Sequence, residues 1–262
     1  MMHYTFHSKT DPGRARDNNE DAIAIDVPSL LGVLADGMGG YNAGEIASGM
    51  ATAFIKSEMT RWLAETGKNA KVREIRRALE ICVDNANRSI FNASGSNPQY
   101  SGMGTTLVVG VFHGATLILG HIGDSRCYRL RGGALSQITK DHSLLQEQID
   151  AGLITPEQAV GSSIKNLVTR ALGVEDVVML ETNEHQVEAG DCYLMCSDGL
   201  SDMVDDAEIA SILRGPVPMD QKADILVAVA NEHGGRDNIS VLLVQAESVT
   251  EKRGLISRLL GK

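Results

Sequence analysis

From Ile46 to Ile90 the apolar residues recur at every third or fourth position, whereas in most of the chain they alternate or run in short unbroken stretches. That change of period, placed between two groups of strand-like segments, restricts the fold more than any other feature. Ile46, Ala47, Met50, Ala51, Phe54, Ile55, Met59 and Trp62 form one long stripe. Ile75, Leu79, Cys82, Val83, Ala86 and Ile90 form a second, with Arg73, Arg76, Arg77 and Glu80 on the opposite face. The polar linker 66–71 joins them as an antiparallel helix pair. Strands are expected at 3–10, 21–27 and 30–35 before the pair. After it they are expected at 105–112, 115–122, 125–131, 134–138, 177–181, 184–187, 191–196 and 239–245, with short helices at 206–213 and 220–232. This order is not strand–helix alternation, so a doubly wound parallel sheet is excluded in favour of antiparallel sheets covered by helices.

Composition narrows the class further. A chain of 262 residues buries a core without disulfides, and 43% hydrophobic with 22% charged residues is an ordinary globular balance. Cys82, Cys127, Cys192 and Cys196 are expected as core thiols. Cys192 and Cys196, four apart on a strand, lie roughly 13 Å from each other and cannot share a zinc ion. Cys82 and Arg88 have the spacing of a cysteine phosphatase loop, but the stretch is helical and carries Asp84, so no phosphate cradle forms there. A net charge of −10 argues against nucleic acid as a partner. The most apolar stretch, 105–122, is broken by Gly110, His113, Gly114, Gly120 and His121 and makes two strands rather than a membrane span. The N-terminal residues contain no run of signal-peptide length, and a cytoplasmic location is expected.

The chemistry is carried by aspartates. Three apolar runs arrive at an aspartate beside a glycine: Asp36-Gly37, Gly123-Asp124 and Asp198-Gly199. Asp-Gly is a common turn dipeptide, and any one pair alone is a turn. Three, together with Glu20-Asp21 before one strand and Asp237-Asn238 before another, gather carboxylates at one edge of the sheets. Such groups must take up protons or bind cations. An oxygen-rich site without a His/Cys cluster selects Mg²⁺ or Mn²⁺ over Zn²⁺.

The segments Arg16-Asp-Asn-Asn-Glu20-Asp21, Asp36-Gly-Met-Gly-Gly40, Ser101-Gly-Met-Gly-Thr-Thr106, Gly123-Asp-Ser-Arg126, Ser197-Asp-Gly-Leu200 and Arg236-Asp-Asn-Ile-Ser240 occur in that order. Together they resemble the metal-dependent protein phosphatase 2C-type (PPM) serine/threonine phosphatases, bacterial stand-alone type, over residues 4–246. The resemblance implies an α+β fold: a four-layer α-β-β-α sandwich of two packed antiparallel sheets flanked by helix pairs. It implies one phosphatase domain over 1–248 with a flap at 141–172; beyond it, Leu255, Ile256, Leu259 and Leu260 among Lys252, Arg253, Arg258 and Lys262 read as a short basic amphipathic tail at 249–262. It also implies the site. Asp36 bridges two metal ions; Asp198 and Asp237 complete one, and Glu20 with the Gly37 carbonyl holds the other. Asp21 orients metal-bound water, Arg16 clamps the phosphate, and Asp124 with Asp198 takes a third, weaker ion. Asn238 supports the loop bearing Asp237.

The implied activity is hydrolysis of phosphoserine and phosphothreonine in proteins, by a water bridging two Mn²⁺ or Mg²⁺ ions. The implied partners are phosphorylated proteins and a cognate serine/threonine kinase, with no nucleic acid, no membrane and a monomeric chain. A two-metal phosphodiesterase or nuclease would use similar carboxylates, but no basic, aromatic-lined tract accompanies them. A non-catalytic phosphoprotein-binding module would have lost ligands, and all are present. The sequence departs from the family at two positions. Met38 stands where animal members have a histidine proposed as the general acid, and Tyr41 where many bacterial members have one. His142 is the nearest histidine to a motif, and metal-bound water is the expected acid. Residues 141–172, polar and glycine-bearing with Thr155 to Gln158 as a capping box, are expected to form a mobile lid that carries selectivity.

Overall fold

The computed structural model describes residues 2–39, 43–159 and 167–248. Tyr41, the middle of the 141–172 segment (160–166) and the tail from 249 lie outside the described residues. Two antiparallel sheets carry the architecture. One orders its strands β1 (Met2–Asp11), β11 (Ile239–Ser248), β10 (Cys192–Cys196), β7 (Arg126–Arg131) and β8 (Ala134–Gln137). The other orders β2 (Asp21–Asp26), β3 (Leu31–Met38), β5 (Leu107–His113), β6 (Thr116–Ile122) and β9 (Glu181–Gln186), with the short β4 (Gly104–Thr105) added to the end of β3.

The period of two sorts the strand residues into layers. Leu34, Val108, Leu119, Tyr193, Met195, Leu242 and Val244 point between the sheets and form the central core. Their neighbours Val33, Val109 and Ile118 point outward, onto the long helices α1 (Ala43–Thr66) and α2 (Val72–Ser96) through Ala47, Ala51, Ile55, Leu79, Val83 and Ile90. On the other side Cys192, Leu194, Cys196, Val241 and Leu243 receive Ile209 and Leu213 of α6 (Asp206–Arg214) and Leu226 and Val227 of α7 (Met219–Glu232). The expected α-β-β-α sandwich is therefore formed. All four cysteines are buried free thiols, as expected.

Three details differ from the sequence expectation. β3 does not stop at Ala35 but continues through Asp36 and Gly37 to Met38, because Gly37 and Met38 pair with Thr105 and Gly104 of β4. Two strands expected at 177–181 and 184–187 are one, β9, paired with β6 from His121 to Thr116. Val177 and Met179, whose apolar character suggested the first of them, are exposed. After β10 a four-residue helix, α5 (Asp198–Ser201), turns the chain where only a turn was expected.

Within the 141–172 segment lie α3 (Leu144–Asp150) and the single turn α4 (Pro156–Ala159). Ser143 caps α3, accepting from the Gln146 amide. The capping box before α4 is formed as expected, with Thr155 Oγ1 accepting from the Gln158 amide and Gln158 Oε1 from the Thr155 amide.

Candidate metal centre

The loops and strand ends at one edge of the sandwich bring together what the sequence scatters. Arg16, Glu20, Asp36, Gly37, Asp124, Asp198 and Asp237 line a single cleft of about 260 Å³, with Met38, Thr106 and Val168 completing its walls. Asp21 lies behind them, facing Asp36 across the β2–β3 register and buried. All eight sequence-predicted site residues therefore fall in or directly behind one cleft.

The glycines beside the aspartates have a reason other than turn formation. A Cβ on Gly37 would lie 2.2 Å from the Gly44 carbonyl oxygen at the start of α1 and 2.6 Å from that of Glu20. One on Gly199 would lie 2.0 Å from the Asn238 carbonyl oxygen. Backbone from other loops is packed against each aspartate's neighbour, and only glycine leaves room for it.

Asn238 makes the junction. Its side chain is buried, with Oδ1 accepting from the Glu20 amide at 2.8 Å. Its Nδ2 donates to the Pro12 and Asn18 carbonyls at 3.0 and 2.8 Å. It thus fixes the 12–20 loop, which carries Arg16 and Glu20, to the residue after Asp237. The expectation placed Asn238 as support for Asp237 alone, so its reach to the opposite loop is a finding of the structure. Arg16, about half exposed, donates from Nη2 to Asp237 Oδ2 at 2.7 Å.

The electrostatics are those of a cation site. Burial, then the charges of Asp21 and Asp198, hold the Asp36 carboxyl well above the usual carboxylate range. Asp198 is raised in the same way by burial and by Asp124 and Asp202. Burial pushes Asp21 up to about 6, against a hydrogen bond from Ser197 Oγ. Burial and Asp141 push Asp124 up to about 6. Glu20 is raised by burial, with Arg16 opposing. Asp21 Oδ1 is buried without a hydrogen-bond partner, an arrangement that a hydrated cation beside it would satisfy. Divalent ions fit this set: oxygen donors only, mutually repelling, with a charge that a bound cation would offset.

A second group was not anticipated, because the sequence appeared to hold no histidine cluster. His121 on β6, His142 and Glu181 on β9 each offer a ligand atom within 4.8 Å of the others, a trio a divalent ion could use. The two rings stack at a centroid distance of 4.6 Å. The only sequence signal was the His121–Glu181 register pair, which depended on the strand assignment that the structure corrects.

A cage of hard oxygen donors with a guanidinium at its rim defines the class, a divalent-metal-dependent phosphatase. The comparisons agree. The sequence profile of protein phosphatase 2C matches residues 14–238. The serine/threonine phosphatase stp of Listeria monocytogenes serotype 4b is 38% identical over 255 residues, covering 96% of this chain and 98% of that one. The crystal structure of the Mycobacterium tuberculosis serine/threonine phosphatase PstP/Ppp superimposes with a TM-score of 0.83 at 38% identity, covering 94% of this chain and 99% of that one. A catalytic domain of PstP in complex with two manganese ions gives a TM-score of 0.81 at 37% identity over 95% of this chain and all of that one. The chain belongs to the protein phosphatase 2C family and is a metal-dependent serine/threonine phosphatase. No helix among the described residues is long and apolar enough to cross a membrane.

Proposed function

We propose that Asp36 bridges two divalent ions, one completed by Asp198 and Asp237 and the other by Glu20 and the Gly37 carbonyl, with Asp124 and Asp198 holding a weaker third. Bound there, Mn²⁺ or Mg²⁺ would supply an activated water and offset charge on the phosphoryl group. The observation that carries this assignment is the convergence of these carboxylates on one cleft, backed by the unsatisfied Asp21 Oδ1. The two manganese ions named for the PstP structure support the pair of core ions.

The chain's own residues then divide the work. Arg16, on the mobile-length side chain at the rim, turns from Asp237 to grip the phosphate with its fork of donors. Asp21, anchored by Ser197, orients water at the floor of the cleft. Thr106 fixes Asp36, accepting from its amide at 3.0 Å and donating its own amide to the Asp36 carbonyl at 2.9 Å. The substrates are phosphoserine and phosphothreonine proteins, and the partner is a serine/threonine kinase acting on the same targets. Four buried free thiols suit a reducing, cytoplasmic setting.

The test is the pH dependence of stability. Asp21 and Asp124 hold their protons to about 6, while the unfolded chain releases them near ~3.9. Between those values the folded state binds more protons than the unfolded one, so the stability these groups allow is full below about 4 and lost above about 6. The Tm of metal-free protein should therefore fall as pH rises from 4.5 to 7. Mn²⁺ should raise Tm, and more at pH 7 than at pH 5, because cation and proton compete for the same oxygens. Scanning fluorimetry at four pH values measures both. A Mn²⁺ effect independent of pH would mean that the ion binds elsewhere.

Residues 141–172 are proposed as a flap that selects among phosphoproteins. The support is the lack of any buried side chain on α3, which leaves that helix held by its ends. Amides 145–151 should exchange at least tenfold faster than those of β5 and β10 in Mn²⁺-loaded protein. Equal protection would show a static insert.

A further inference from the structure

The turn that carries Asp124 is gripped at both ends by two consecutive residues at the root of the 141–172 segment. At its start the Gly123 amide donates to His142 Nδ1 at 3.1 Å, and the His142 amide donates to the Gly123 carbonyl at 2.9 Å. At its end Arg126 donates to both carboxylate oxygens of Asp141, with Nη2 at 2.7 Å. Between them Ser125 Oγ shares a hydrogen bond of 2.7 Å with Thr106 Oγ1, the atom that also accepts from the Asp36 amide. Gly123 itself has φ +99°, and a Cβ there would meet Thr106 at 2.7 Å, so only glycine fits this turn.

His142 reaches the other way as well. Its Nε2 lies 3.2 Å from Glu181 Oε2 and 3.5 Å from Arg170 Nη1, and its carbonyl accepts from the Thr169 amide at 2.8 Å. His121, stacked on the ring, is tied by Nε2 to the Lys140 carbonyl at 2.8 Å. These bonds fix the state of the imidazole. Nδ1 accepts an amide proton, so Nε2 carries the ring's own proton and donates it to Glu181. Burial lowers the His142 pKa and keeps the ring neutral. An ion held by this trio would have to displace the Nε2 proton and would then sit beside the Arg170 guanidinium, whose charge repels it. The trio is built as a brace rather than as an ion cage.

We propose that His142 is a positioning residue for Asp124: through the Gly123 amide it sets the place of the turn, and so the affinity of the outer cation site, and it ties that site to the returning chain at 169–170. This rests on the assignment of Asp124 to a weaker ion, and the test separates the two. Mn²⁺ binding to the full chain is measured by calorimetry for the wild type, Asp124→Ala, His142→Gln and His142→Asn. Asparagine presents an oxygen close to the position of Nδ1; glutamine fills the space without it. Asp124→Ala should lose the weakest binding event. His142→Gln should keep every event but weaken that one by about fivefold, the scale of one lost hydrogen bond, while His142→Asn keeps the wild-type affinity. The Mn²⁺ concentration giving half-maximal activity should move by the same factor in His142→Gln, with KM for p-nitrophenyl phosphate unchanged at saturating Mn²⁺. Should His142→Gln not fold, Glu181→Ala takes its place. That side chain is 39% exposed, and its loss frees Nε2 and should weaken the same event about twofold. An unaltered weak event in folded His142→Gln, or in Glu181→Ala where it stands in, beside its loss in Asp124→Ala, overturns the brace alone. Retention of all events in Asp124→Ala overturns the outer site and the brace together.

Discussion

Asp36→Ala should lower kcat by about 10³ or more, equivalent to about 4 kcal/mol of transition-state stabilisation, the scale on which losing a metal clamp is felt. Asp36 stands at the floor of the cleft, raised by burial and by Asp21 and Asp198, so two neighbours already press on the charge it would share between ions. The variant should also show an effect of opposite sign. Metal-free Asp36→Ala should melt higher than metal-free wild type at pH 7, because a buried carboxyl held above its ordinary range destabilises the folded state there. The backbone bonds of residue 36 to Thr106 survive the change. Asp124→Ala should instead keep the two core ions, require more Mn²⁺ and turn over more slowly. Steady-state kinetics and melting of both variants decide the matter: equal losses of activity and stability in the two would reduce both aspartates to turn residues.

Asn238→Ala should cost about 2–3 kcal/mol of stability, since one buried amide satisfies three backbone groups that would be left without partners. The consequence should extend to substrate binding. The 12–20 loop would keep the Arg14 and Ala15 amides on the Gly235 carbonyl and the Glu20 carbonyl on Gly37 and Ser48, but the backbone between, which carries Arg16, would lose its central tie. KM for a phosphothreonine peptide should rise more than kcat falls. Asn238→Asp is not conservative here. It keeps the acceptor for the Glu20 amide but turns a carboxylate oxygen toward the Pro12 and Asn18 carbonyls. Urea melts give the stability change, and a loss below 0.5 kcal/mol with unchanged KM would remove Asn238 from the account.

Much of this was legible in the chain because it is written in periods and dipeptides. The helix pair follows from apolar spacing alone, and the order of strands around it already excludes a doubly wound sheet; the opposite facing of Val33 and Leu34 within an unbroken apolar run came only with the structure. The carboxylate cleft was legible because Asp36, Asp124 and Asp198 each sit beside a glycine at the end of an apolar run. Turn formation is only part of why glycine stands there: close approach of foreign backbone at Gly37 and Gly199 arises only when the loops are folded together. What was not legible depended on pairing between distant segments. His121, His142 and Glu181 are far apart in sequence, and β9 is an edge strand whose polar residues carry little strand signal. β3 passed its expected end because its partner β4 is only two residues long, too short to leave a pattern. The C-x₅-R spacing at Cys82 proved to lie within α2, with the thiol buried and pushed up to about 12 by burial and Glu58, far from any nucleophile.

The most direct test of the central claim is an anomalous difference map from crystals grown in Mn²⁺. Two strong peaks should share Asp36, one also touching Asp198 and Asp237 and the other Glu20 and the Gly37 carbonyl, with a weaker third beside Asp124 and none at His142. A manganese peak among His121, His142 and Glu181, with none on Asp36, would contradict both the assignment of the catalytic ions and the bracing role of the histidine.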